Sequence, residues 1–135
     1  MKKVALAVAR LPFGLFYAAI GIFSVHEMLT NPDAAWPAYN EAEKELVAAM
    51  TSAGFFAPVV SLTCLVGGFA TMFKRTAPVG LLVLTPLIVM IFLYHAYLTG
   101  AYVHAGMQAA YLAVLYWLHR DAFIPLWNYG RRVDT

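Results

Sequence analysis

The chain has 135 residues, 62% of them hydrophobic and 12% charged, with a mean hydropathy of +0.70. That balance excludes an ordinary water-soluble domain, where about half of the residues are apolar and about a quarter charged. The net charge of +2 excludes an electrostatic nucleic-acid binder, and the lone Cys64 excludes both intramolecular dithiol–disulfide exchange and cysteine-cluster zinc sites.

In chain order, the first element is a long apolar run from about Val4 to Met28, broken only by Arg10 near one end and by His26 and Glu27 near the other. Lys2 and Lys3 precede it, as in a signal peptide. The run is too long for one, and no small-residue cleavage site follows, so it is read as a membrane span. A loop then runs from Thr30 to about Glu45 and holds Asn31, Pro32, Asp33, Trp36, Pro37, Tyr39, Glu41 and Glu43. Pro and Asn end the helix there, and Trp36 and Tyr39 suit a water–lipid boundary. The segment from Glu41 to about Ala53 predicts a short helix lying at that interface. Further apolar runs lie at about 55–73, 79–99 and 106–123. Each approaches the roughly 20 residues needed to cross a hydrocarbon core of about 30 Å. The connections between them are tight, Lys74 to Pro78 and then Gly100 to Ala105. The whole is one transmembrane domain over 1–135: an all-α membrane protein, a four-transmembrane-helix bundle with a short interfacial helix in its first outer loop.

Basic residues orient these spans. Lys2, Lys3, Arg10, Lys74, Arg75, Arg120, Arg131 and Arg132 fall on one side, and Lys44 falls on the other with most of the acids. The positive-inside rule makes the first side, with both termini, cytoplasmic in a bacterial-type inner (plasma) membrane. Small residues predict where helices approach closely: Gly14, Ala18 and Gly21 in the first span, Thr63, Gly67 and Thr71 in the second, and Gly106, Ala110 and Ala113 in the fourth. Pro12, Pro58 and Pro86 lie within spans, where they are expected to kink the helix. Cys64 reads as a small packing residue, because nothing cationic adjoins it to favour the thiolate.

Polar side chains at membrane depth are costly and mark candidate sites. The topology gathers His26, Glu27, His95, His104 and Gln108 at one depth near the outer surface, interleaved with Tyr94, Tyr97, Tyr102 and Tyr111. This cluster has three readings. It is an interfacial belt that binds nothing. It is a pocket for a quinone-like or lipid-like ligand, with aromatic walls and with His95 and either Glu27 or Gln108 bonding a carbonyl or exchanging a proton. Or it is a metal site built from His26, Glu27, His95 and His104, with a haem held between facing histidines as a variant. On the cytoplasmic side, Arg10 either snorkels to the headgroups or meets a buried acid or anionic ligand, and His119 lies beside Trp117 and Arg120.

The segments Arg10-Leu-Pro-Phe-Gly14, Met50 to Pro58, Leu62-Thr-Cys-Leu-Val-Gly67-Gly68 and Ile91-Phe-Leu-Tyr-His95 together resemble the DoxX-like membrane proteins over nearly the whole chain. The resemblance implies a small four-helix membrane protein. The family includes subunits of quinone-coupled sulfur-compound oxidation, partners in redox-stress complexes and assembly chaperones. Many members carry an acid one turn before the paired glycines, where this chain has Thr63 or Cys64, and a Lys where it has His26 and Glu27, so the ion pair those residues form elsewhere is missing in that form. The expectation is an accessory subunit of a membrane redox system, in contact with the lipid bilayer and with other membrane subunits or copies of itself. The alternative is a non-catalytic assembly or structural subunit. No nucleophile–base motif, phosphate loop or dinucleotide fingerprint supports a standalone enzyme.

Overall fold

In a computed structural model the chain is described over residues 2–31 and 40–127. The elements are α1 (Lys2–Thr30), α2 (Glu41–Ser52), α3 (Phe56–Met72), α4 (Ala77–Tyr94), a π-helical turn (His95–Thr99), α5 (Tyr102–Leu118) and α6 (Arg120–Trp127). The described residues are thus all-helical, with no strand among them. Trp36, Tyr39, Arg131 and Arg132, which bear on the membrane boundary and on the charge asymmetry, lie outside the described residues.

Two stretches, Leu6–Thr30 and Ala77–Thr99, are long and apolar enough to cross a membrane. A third is added if α2 and α3, bent by 89° where they meet, form one broken span. α3 and α5 have 17 residues each, a rise of about 26 Å, slightly short of a hydrocarbon core of about 30 Å. Large apolar side chains such as Val8, Phe23, Val66, Val79 and Val114 are exposed along these helices, an outward-facing apolar coat that water does not favour.

Several boundaries differ from the sequence reading. The run 106–123 is not one helix. α5 starts earlier, at Tyr102, and stops at Leu118; His119 leaves helical geometry at φ −101° and ψ 11° before α6 begins. The connection before α5 is also shorter than Gly100 to Ala105. Gly100 takes φ 70°, a left-handed conformation that suits glycine, and turns the chain almost alone. His104 therefore lies in the first turn of α5 and not in a loop ahead of it. Pro58 lies in the first turn of α3, where its missing N–H costs nothing, so it cannot kink a helix interior; Pro12 and Pro86 do lie inside α1 and α4. Pro78 opens α4 as expected.

Packing follows the small residues of the first two stripes. α1 runs antiparallel to α3. Gly14 and Ala18 meet Gly68, and a Cβ on Gly21 would stand 2.6 Å from the Leu65 nitrogen. At Gly68 a Cβ would run into the Ala18 backbone and come within 2.8 Å of the Gly14 carbonyl. The other side of α3 receives α4, with Gly67 against Leu84 and Gly80 against Thr71. Tyr17, Cys64, Leu81, Leu84, Ile88 and Leu115 fill the core between these helices. Hydroxyls at this depth are paired, Ser24 with Ser61 at 2.6 Å and Thr85 with Tyr116 at 2.7 Å, as an apolar surround requires. The third stripe does not serve this packing. A Cβ on Gly106 would meet nothing within 4 Å, and Ala110 and Ala113 are exposed. Gly106 and Ala110 thus point into open space, whereas Ala113 lies on the side of α5 that faces α4 across a groove.

Candidate ligand-binding site

The polar residues collect where α4 ends and α5 begins. Tyr94 closes α4, and the chain then makes one wide turn in which the Gly100 N–H donates to the His95 carbonyl at 2.9 Å. π-turns of this kind are frequent at functional sites. The turn is braced from within: Thr99 Oγ1 donates to the same carbonyl at 3.3 Å and accepts from the Ala101 N–H at 3.1 Å. His95 is half-buried. Its Nδ1 lies 2.8 Å from the Ile91 carbonyl, and its ring meets Tyr94 edge-on, centroids 5.4 Å apart.

Across the turn stands His104, exposed, with its ring centroid 5.4 Å from that of His95. One turn further along α5, Gln108 Nε2 lies 2.8 Å from His104 Nε2. The Gln108 carbonyl oxygen in turn accepts from the Tyr17 hydroxyl at 2.8 Å. Tyr17 comes from the middle of α1 and is 1% exposed. It is wedged between Phe13 and Phe16, and Phe13 stacks on Tyr111, whose hydroxyl donates to the Ala9 carbonyl at 2.7 Å. A continuous polar path thus leads from a buried phenol, through an amide, to an exposed imidazole with a second imidazole beside it.

Beyond this path, toward the middle of the helices, an apolar groove of about 320 Å³ separates α4 from α5. Ile88, Val89 and Phe92 form one wall and Ala109, Leu112, Ala113 and Tyr116 the other. Phe92 is one turn before His95 and Ala109 follows Gln108 in sequence, while His95, His104 and Gln108 do not themselves line the groove. At the same end α2 rests on the π-turn. Asn40 Nδ2 donates to the Leu98 carbonyl at 2.7 Å. Asn40 also caps α2 reciprocally with Glu43: Oδ1 accepts from the Glu43 N–H at 2.9 Å, and Glu43 Oε2 accepts from the Asn40 N–H at 3.2 Å. Glu43 is fully buried.

The structure therefore brings together Tyr94, His95, His104 and Gln108 from the expected cluster and leaves His26 and Glu27 apart from them. α1 leans on α3, so this part of α1 emerges beside the start of α3, where Ser24 and Met28 meet Ser61. His26 is exposed there, and Glu27 accepts from Asn31, just past the end of α1, at 3.3 Å. The set His26, Glu27, His95 and His104 is accordingly not a metal centre as placed: among the described residues no three His, Cys, Asp or Glu side chains lie close enough to hold one ion. On the opposite end, Arg10 has a buried Nε without a hydrogen-bond partner, and the ion pairs among the described residues, Lys44 with Glu41 and Arg120 with Asp121, do not involve it. His119 Nδ1 lies 2.9 Å from the Leu115 carbonyl, and Arg120 lies over the Trp117 ring.

Two residues of the site escaped sequence reasoning. Tyr17 looks like one aromatic among many, but a phenol in the middle of a long apolar helix needs a partner, and Gln108 is an amide placed within another apolar run. Glu43 looks like a loop acid, yet Asn40-Glu-Ala-Glu43 matches the spacing of a capping box, and Glu43 shares a helical face with the buried Val47. Compared with known protein families, curated proteins and solved structures, the chain finds no match in any of the three.

Proposed function

We propose that this is a four-span, DoxX-like membrane protein that holds an amphipathic ligand, quinone-like or lipid-like, at the outer end of α4 and α5, as an accessory subunit of a membrane redox system. In this arrangement α1, α3, α4 with its π-turn, and α5 are the spans. The antiparallel order of these helices supports it, as does the ease with which flanking turn residues make up the few ångströms that α3 and α5 lack. α2 lies along the outer boundary. Alternation brings Arg10, Lys74, Arg75 and Arg120 to one end, which the positive-inside rule makes cytoplasmic, together with both termini, in a bacterial-type inner membrane.

The observation that carries the ligand is an apolar groove neighbouring a polar cluster: Phe92 of the α4–α5 groove lies one turn before His95, whose ring faces His104, itself 2.8 Å from Gln108. Mostly apolar clefts with a few convergent polar groups are the usual form of small-molecule sites. The test is mass spectrometry of small molecules extracted from protein purified in native lipid discs. The expected result is one apolar compound enriched over the surrounding membrane and depleted by His95→Ala. A lipid profile equal to the bulk membrane, unchanged by His95→Ala, overturns the proposal.

A second role, that of a non-catalytic assembly or structural subunit, is favoured by Gly106 and Ala110, small residues on a side of α5 that no helix of this chain covers among the described residues. Gentle solubilisation separates the two. Recovery in a large complex that Ala110→Trp dissolves supports assembly, whereas a small particle that retains the enriched compound supports the ligand site.

A further inference from the structure

Hydrogen-bond partners determine which nitrogens of the histidine pair carry protons. The Tyr17 phenol is buried and has one partner, the Gln108 amide. A buried O–H left without an acceptor costs about 1–3 kcal/mol, so the phenol donates and the amide oxygen faces it. That leaves the amide nitrogen, which can only donate, facing His104 Nε2 at 2.8 Å. His104 Nε2 is therefore an acceptor, and the proton of this imidazole sits on Nδ1. For His95 the reasoning is shorter. Its Nδ1 lies 2.8 Å from the Ile91 carbonyl, which can only accept, so Nδ1 carries the proton and Nε2 keeps a lone pair. The two rings stand 5.4 Å apart at 48°, and no hydrogen bond joins them. The pair thus presents one acceptor, His95 Nε2, and one donor, His104 Nδ1–H.

These are the complements of a hydroxyl group, which donates one hydrogen bond and accepts others. They do not suit a bare carbonyl, which can use the donor alone. Nor do they suit a metal ion, because the His104 lone pair is already engaged by Gln108. We infer that the polar head of the ligand is a hydroxyl on an apolar body, donating to His95 Nε2 and accepting from His104 Nδ1–H while the body lies in the α4–α5 groove. This rests on the ligand site proposed above and names its chemical class. A phenolic O–H, such as that of a long-chain hydroquinol, and an aliphatic O–H, such as that of a long-chain alcohol, share this chemistry.

The test uses the full chain in phosphatidylcholine discs with 15N-labelled histidine, without oxygen, at pH 8. Before any addition, both His95 and His104 are expected as Nδ1–H tautomers; an Nε2–H form of His104 overturns the inference. Four compounds of matched chain length are then titrated and read at the ring nitrogens: a hydroquinol, its dimethyl ether, the corresponding quinone and an alcohol. The hydroquinol, the alcohol or both are expected to shift His95 Nε2 at concentrations on the order of ten-fold below those needed for the ether or quinone. Which of the two hydroxyl compounds binds tells a phenolic from an aliphatic ligand, and either outcome supports the inference. His95→Phe, which keeps a ring but removes the acceptor, is expected to abolish the preference, read at His104, and leave ether binding unchanged. Equal binding of all four compounds overturns the hydroxyl inference and leaves the ligand site standing. If no compound perturbs either ring, the inference and the ligand site fail together.

Discussion

The seam between α1 and α3 and the seam between α4 and α5 are built in opposite ways. The first is backbone against backbone: Gly14, Gly21 and Gly68 leave no room for a Cβ. The second is spaced by large side chains, Phe92 and Tyr116 among them, and contains a groove and a pair of imidazoles. In lipid there is no hydrophobic force between helices, so adhesion comes from close packing and interhelical hydrogen bonds. The glycine seam supplies the first. The α4–α5 seam relies on contacts such as Thr85 with Tyr116 and gives up packing where the groove opens. One pair of helices holds the molecule together, and the other has space for a guest.

Substitutions can break this contrast or sharpen it. The largest effect is expected from Gly68→Ala, whose new methyl group would press on Ala18 and the Gly14 carbonyl. Forced overpacking of this kind costs about 1–3 kcal/mol, visible as a lower midpoint in SDS-induced unfolding; an unchanged midpoint would mean that the seam is looser than described. Tyr17→Phe comes next. It strips the Gln108 oxygen of its donor and is expected to cost about 1 kcal/mol. In the same titration with 15N-labelled histidine, the His104 signals should also move, because the amide is then free to turn over; a silent His104 would uncouple the buried phenol from the imidazole. The smallest effect belongs to Gly106→Ala, which adds a methyl group to open space. It is expected to raise stability by about 0.5 kcal/mol through helix propensity. A loss comparable to that of Gly68→Ala would show that this face is covered after all.

Much of this arrangement is legible in the residues. Apolar runs mark the helices, because each must present a greasy surface over its length, and Gly14, Ala18 and Gly21 announce the α1–α3 contact by their spacing. The proximity of His95 and His104 follows from a tight turn joining antiparallel helices. Other features depend on facts that a single segment does not carry. Whether a small-residue stripe is used depends on which neighbour it faces, and the Gly106 stripe reads like the Gly14 stripe although Gly106 and Ala110 face outward. His26 and His95 share a depth, but depth says nothing of azimuth, and the lean of α1 onto α3 parts them. Hydropathy alone runs the last helix through to Phe123; the break at His119 is a backbone event between two stretches that are both apolar.

The wide turn at His95–Thr99 makes chain length itself a constraint. A π-turn accommodates one residue more than an α-turn, so the bond from the Gly100 N–H to the His95 carbonyl depends on all five residues of this segment. Deleting a single residue there would let the turn relax to ordinary pitch and rotate the downstream chain by about 100°. The Leu98 carbonyl would swing away from Asn40, and α5 would start from a different bearing, turning His104 off His95. Residue count in this short stretch is therefore as binding as residue identity: homologues that keep both histidines should keep the spacing between them.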